Sequence, residues 1–164
     1  MAPEPDPRWQ HFVGGVSPSG VLLPVSVELL QHRANELADL ARDVDGGPTE
    51  LLATARTLLV QSWFEYDLLV QACLVSLQAV EAAVRRHYPG KDKVPFKKLV
   101  NRAEEDGRLT TEGAQILRDA GVRLRNNLSH PSDQVRYTLG MAFPVLRTSH
   151  LLVAELARTA IATQ

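Results

Sequence analysis

Leu68-Leu69-Val70-Gln71-Ala72-Cys73-Leu74-Val75-Ser76-Leu77-Gln78-Ala79-Val80 is the run whose reading decides the fold. It is uncharged, yet at 13 residues it is too short to cross a hydrocarbon layer of about 30 Å, and Gln71 and Gln78 interrupt it. With its flanks, the apolar positions Trp63, Phe64, Leu68, Leu69, Ala72, Cys73, Val75, Leu77, Val80 and Val84 do not fit one helical stripe. A helix that is apolar nearly all round is a core helix, so this segment, ending at about Tyr88-Pro89-Gly90, is predicted to be the central one of an all-α bundle.

The neighbouring segments read as helices packed around it. From about Val25 to Asp43, Leu30, Ala34, Leu37, Ala41 and Val44 recur at steps of four and three, a narrow seam that Asp45-Gly46-Gly47-Pro48 stops. A second helix opens near Thr49-Glu50 and either bends at Gln61-Ser62 or runs straight into the central one. Pro95 suits the first turn of a short helix closing at Gly107, and Thr110 or Thr111 caps the next. A last helix runs from Leu139 or Pro144 to Ala162, with Pro144 either starting or kinking it. Four to six helices are therefore expected over residues 25–164, behind an irregular N-terminal arm, residues 1–24, rich in proline and glycine. In the arm, Trp9, Phe12, Val16, Leu22 and Leu23 are apolar enough to dock on the body. Gly14-Gly15 reads as a turn rather than a phosphate loop, since no Gly-Lys-Ser/Thr follows.

Several chemistries are excluded or disfavoured. The lone Cys73 lies in an apolar run and reads as core. The five histidines never pair at metal-ligand spacing, so no metal and no cofactor is expected, and no serine sits in a nucleophile elbow. His150 reads as a helix-surface or interface residue, and Trp63 and Phe64 as core rather than a base-stacking platform. Met1 to Pro7 has no basic region followed by an apolar one, so a cytoplasmic location without membrane association is expected.

The formal charge of −1 is unevenly spread. Residues 26–50 carry six acids against two arginines. Residues 85–102 carry seven basic residues against Asp92 alone, a rim suited to phosphates in which Lys93, Lys97 and Lys98 are the candidate RNA contacts. Glu65, Asp67 and Glu81 are acids beside core positions and need partners. For Glu81 the local partner is Arg85 and the long-range one Arg125, and in either case its role is to orient.

Chemistry concentrates in Leu124-Arg125-Asn126-Asn127-Leu128-Ser129-His130-Pro131. Leu117, Ala120, Leu124 and Leu128 mark one buried helix face, while Arg118, Arg125 and Asn126 lie off it. The residue before a proline is biased away from the α region, so His130 is expected to leave the helix and fold back towards Arg125. Cations at a helix C-terminus also stabilise it without any function, by about 0.3–1 kcal/mol. The Arg-Asn-x-x-x-His pattern resembles the signature of the HEPN superfamily, small all-α proteins of toxin, antiphage and RNA-processing systems. Ser62-Trp63-Phe64-Glu65-Tyr66, Leu77 to Arg85 and Phe96-Lys97-Lys98-Leu99 are similar to preceding helices of bacterial HEPN-like proteins, so the resemblance spans roughly residues 49 to 162. It implies a homodimer in which Arg125 and His130 of two subunits build a composite, metal-independent ribonuclease site, with Asn126 holding the histidine or the phosphate. An antitoxin or other defence-system protein is the further partner implied. Toxins governed by a nucleotidyltransferase antitoxin have a tyrosine two residues after the histidine, whereas Pro131-Ser132 follows here. Other members of the family are non-catalytic dimeric modules that bind proteins, nucleotides or RNA, which is the alternative.

Overall fold

The computed structural model describes residues 4–91, 93–121 and 137–161 and is an all-α bundle with one small two-stranded sheet. Among the described residues the helices are α1 (Val27–Leu40), α2 (Gly47–Gln61), α3 (Leu68–Arg86), α4 (Phe96–Glu105), α5 (Thr111–Ile116) and α6 (Leu139–Ile161). A 3-10 turn (Pro7–His11) and strands β1 (Val13–Val16) and β2 (Leu22–Pro24) precede them.

The helix boundaries follow from local chemistry. The Ser26 hydroxyl accepts the Leu29 amide at 3.2 Å and so caps α1, whose Leu30, Ala34 and Leu37 are buried at steps of four and three. Gly46, at φ +93°, takes a backbone conformation open to little but glycine and turns the chain into α2, with Pro48 in the first turn. The open question between Thr49 and Tyr88 is answered by a break. After Gln61 the chain makes a tight corner through residues 62–67, and α2 and α3 pack together as a helical hairpin.

α3 is the axis of the molecule. By length and apolarity it alone among the described helices is capable of crossing a membrane, and here it packs between α2 and α6. Leu69, Val70, Ala72 and Cys73 in its first half join one apolar cluster with Leu30, Leu37, Leu59 and Leu146. Ala79, Val80, Ala83 and Val84 in its second half join another with Leu52, Leu99, Leu117 and Leu156. Each fully buried leucine contributes about 1.5–3 kcal/mol. At mid-height of α3 and α6 sits a polar layer, where the Ser76 hydroxyl donates to the Cys73 carbonyl at 2.8 Å and meets Ser149 Oγ at 3.1 Å. His150 belongs to the same layer and is wholly buried, not on the helix surface or at an interface with another chain as its sequence context suggested. A residue flanked by apolar Leu151-Leu152 reads the same on an inner as on an outer face, and the difference is Arg56 of α2, which reaches across to it.

α6 begins at Leu139, so Pro144 lies inside it rather than starting it. The arm read as irregular holds regular structure. Trp9 is buried, its indole N–H donates to the Ser62 carbonyl at 2.7 Å, and its ring lies 4.7 Å from Tyr66. Gly14-Gly15 is part of β1 and the turn falls at Ser17 to Gly20, because Gly20 takes φ +83°. Val16, Leu22 and Leu23 do not dock: they are 63%, 64% and 46% exposed. Phe64, expected in the core, lies on the corner and is exposed.

Candidate functional site

Arg125, Asn126 and His130, the residues expected to carry the chemistry, lie outside the described residues, as do Leu124 and Leu128. What the structure describes is the scaffold that leads into them. The Thr110 hydroxyl accepts the Gly113 amide at 3.1 Å and starts α5, while the Thr110 amide donates to Glu155 of α6 at 2.6 Å. Gly113 faces Leu152 so closely that a Cβ there would come within 3.0 Å of its methyl group, which sets α5 tightly on α6. The even stripe expected from Leu117 onward is not a plain α-helix. From Leu117 to Gly121 the chain widens into a π-helical turn, the irregularity that recurs beside functional sites.

Arg118, in that turn, is not a free phosphate ligand. Its guanidinium bonds Glu104 of α4 at 2.5 Å and Asn101 Oδ1 at 3.3 Å, and it holds the Glu104 carboxyl below its ordinary range. The pair clamps the π-turn onto α4. Leu99, Val100 and Ala103 bury the opposite face of α4 in the core, which leaves Lys97 and Lys98 turned outward.

The basic rim divides into structural and free cations. Arg85 bonds Glu81 on α3 at 2.8 Å and approaches the Lys91 and Val94 carbonyls at 3.5 and 3.4 Å, so it staples the loop after α3. Glu81 is therefore partnered locally, one turn away, and the alternative partner Arg125 lies outside the described residues. Arg86 donates to the Asp45 carbonyl at 2.7 Å, and Lys91 and Arg102 sit over the ring of Tyr88. Lys93, Lys97 and Lys98 remain, exposed and in no ion pair among the described residues. They are the three named from sequence.

Glu65 and Asp67 found a partner that spacing did not suggest. Arg8, 57 and 59 residues away in the chain, bonds Asp67 at 2.6 Å and Glu65 at 3.3 Å, and bonds Asp6 at 2.8 Å. These bonds hold Asp6 well below the usual carboxylate range and serve to lock the arm to the α2–α3 corner. The Cys73 thiol, buried against the Ala142 carbonyl, is pushed up to about 12 by burial, which makes it inert as a nucleophile. Among the described residues no group of three His, Cys, Asp or Glu is placed to hold a metal.

A cleft of about 350 Å³, which no local pattern of residues signals, opens between the α1–α2 link, the end of α3 and α6. Val44, Pro48 and Leu156 floor it, and Asp45, Arg86 and His87 rim it. The polar rim is largely self-satisfied: Arg86 bonds the Asp45 carbonyl, and His87 Nε2 lies 3.1 Å from the Leu156 carbonyl. Burial lowers the His87 pKa, with Arg108 and Arg86 adding to the shift.

No family model, no curated protein and no solved structure matches the chain.

Proposed function

We propose that the chain is a metal-independent endoribonuclease of the HEPN type, acting in the bacterial cytoplasm as a homodimer whose composite site joins Arg125, Asn126 and His130 of two copies. The observation that carries this reading is the Arg125-Asn126-x-x-x-His130 stretch set before Pro131. Two features of the scaffold support it. In a mainly helical body α5 and its π-turn precede the motif in sequence, and α4, clamped to that turn by Arg118, bears Lys97 and Lys98, exposed and in no ion pair among the described residues.

RNA supplies its own nucleophile. His130, whose ordinary pKa lies near neutrality, takes the proton of the 2′-hydroxyl as that oxygen bonds to phosphorus and the bond to the 5′-oxygen breaks, the leaving oxygen taking up a proton from solvent. Arg125 stabilises the charge developing on the phosphorane oxygens, and Asn126 holds the histidine or the phosphate. The products are a 2′,3′-cyclic phosphate and a 5′-hydroxyl. A toxin or antiphage role, held in check by an antitoxin or defence-system partner, is the corresponding biology.

The test is incubation of the purified protein with mixed RNA in chelator. Cleavage should survive metal removal, spare DNA and leave cyclic phosphate ends. His130→Ala should lower the rate by ~10²–10⁴-fold, the usual worth of acid–base help. Arg125→Lys should be severely impaired too, since an ammonium cannot reproduce the planar two-point grip of a guanidinium. Replacing Lys93, Lys97 and Lys98 with Glu should weaken RNA binding and flatten its salt dependence. RNA left intact, or cut equally well by the His130 variant, would hand the assignment to the non-catalytic dimeric module.

A further inference from the structure

The cleft between the α1–α2 link, the end of α3 and α6 has both room for a small molecule and charge left to hold one. At about 350 Å³ it falls within the roughly 300–1,000 Å³ range of small-molecule sites, and its floor of Val44, Pro48, Val153 and Leu156 is wholly aliphatic. The bonds along its rim fix positions but cancel no charge. Arg8, Arg33, Arg42, Arg85 and Arg118 are each bonded to a carboxylate. Arg86 is held by a backbone carbonyl instead, its Nη1 donating to Asp45 at 2.7 Å, and its guanidinium rests against Gly46, where a Cβ would come within 2.7 Å of the same nitrogen. A neutral acceptor and a bare glycine thus set the group in place and leave its positive charge uncompensated. Its Nε and Nη2 make no hydrogen bond among the described residues, and the N–H groups of a guanidinium are spaced to grip a carboxylate at two points.

The opposite charge stands beside it. Asp43 and Asp45 line the same cleft, both exposed, and their carboxylates enter no ion pair or hydrogen bond among the described residues. Arg42, next to Asp43 in the chain, is bonded to Asp39 at 2.6 Å. Asp45 therefore anchors the guanidinium with its carbonyl while its carboxylate stays unpaired, a separation of charge that a ligand carrying both signs would bridge. His87 adds wall rather than charge, since its Nε2 is engaged with the Leu156 carbonyl at 3.1 Å and burial favours the neutral ring. We infer that this cleft binds a free α-amino acid with an aliphatic side chain: Arg86 grips the carboxylate, Asp43 and Asp45 receive the ammonium, and the side chain lies on Val44, Pro48, Val153 and Leu156. Two carboxylates on the rim would repel a dianion such as a phosphate ester, and an uncharged solute would answer none of the three charges. None of these residues belongs to the Arg125–His130 motif, so the site stands whether or not the ribonuclease reading holds.

Calorimetric titration of the full chain with L-leucine tests this, alongside three compounds that each lack one part of it: isocaproate without the amine, isoamylamine without the carboxylate, and glycine without the side chain. Leucine should bind once per chain with Kd below about 1 mM, and each of the others about tenfold more weakly or worse. The methyl resonances of Val44, Val153 and Leu156 should shift on titration, which places the ligand in the cleft. Asp43→Asn with Asp45→Asn, at exposed positions whose carboxylates make no bond, should keep the native thermal midpoint and lose the preference for leucine over isocaproate. Arg86→Gln should lose both acids. The inference is overturned if leucine shows no saturable binding at about 10 mM, or if isocaproate binds the native chain as tightly as leucine does. It is overturned equally if the doubly substituted variant still prefers leucine, or if the shifted methyl groups lie elsewhere.

Discussion

His150 gives this protein a built-in loss of stability on mild acidification. Its ring is wholly buried, with Nδ1 2.7 Å from the Leu146 carbonyl and Nε2 3.2 Å from the Arg56 guanidinium. The carbonyl only accepts and the guanidinium only donates, so the ring is neutral with its proton on Nδ1. Protonation would bury a charge and set it against Arg56. Burial, and to a lesser degree Arg56, bring the His150 pKa down from 6.5 to about 4 in spite of the favourable Leu146 contact. The unfolded chain therefore binds a proton near pH 6.5 that the native chain refuses until about pH 4. Stability is complete above pH 6.5, falls as the pH drops through that window, and stops falling below about 4. At about 1.4 kcal/mol per pH unit, the loss amounts to roughly 3 kcal/mol. Urea unfolding of the native chain and of His150→Gln between pH 7 and 4 measures it, since glutamine accepts from Arg56 and does not titrate. His87, lowered in the same direction, contributes to both proteins and cancels, and Asp6 acts only below pH 4. The two stability curves should converge by about 3 kcal/mol as the pH falls. Parallel curves would refute the buried neutral histidine.

Two further substitutions probe the arm and the α1–α2 link. Trp9→Ala removes a buried indole and its bond to the Ser62 carbonyl, a loss of about 3–5 kcal/mol if the arm unfolds with the body. Should the arm detach alone, limited proteolysis will cut before residue 25 while the helical signal stays intact. Gly46→Ala forces a side chain into φ +93° with its Cβ 2.7 Å from Arg86 Nη1, and should lower stability by about 1–3 kcal/mol, read as a drop in the thermal midpoint.

Helical periodicity was legible wherever one face of a segment meets the core. The seam of α1, the start of α4 at Pro95 and the cap at Thr110 were visible because each depends on residues within about four positions, whereas α3, read as apolar nearly all round, is fully buried along one broad side only. Contacts across the chain were not. Arg8 meeting Asp67, and Arg56 meeting His150, join residues 59 and 94 apart, and nothing in local spacing marks such pairs. The hairpin was missed because Gly14-Gly15 reads as a turn until the bulge that needs Gly14 is seen. Of the candidate site, the three lysines were legible from the run of basic residues over 85–102, and four-residue spacing offered Arg85 as one of two partners for Glu81, the one the structure shows.

The corner between α2 and α3 is completed by the other end of the chain. The Ser62 and Trp63 carbonyls and the Tyr66 amide, groups a helical hairpin would leave to water, are bonded by Trp9 Nε1, the Asp6 amide and the Asp6 carboxylate. Tyr66 passes the connection on, its hydroxyl donating to the Tyr137 carbonyl at the threshold of α6. During synthesis the segment around Asp6 and Trp9 thus emerges well before the partners it needs: it waits for residue 66, and the joint is closed only when residue 137 arrives. The N-terminal segment acts as a latch on a nearly finished bundle, and a bulky fusion placed against Asp6 would strain the joint on which both hairpin helices turn.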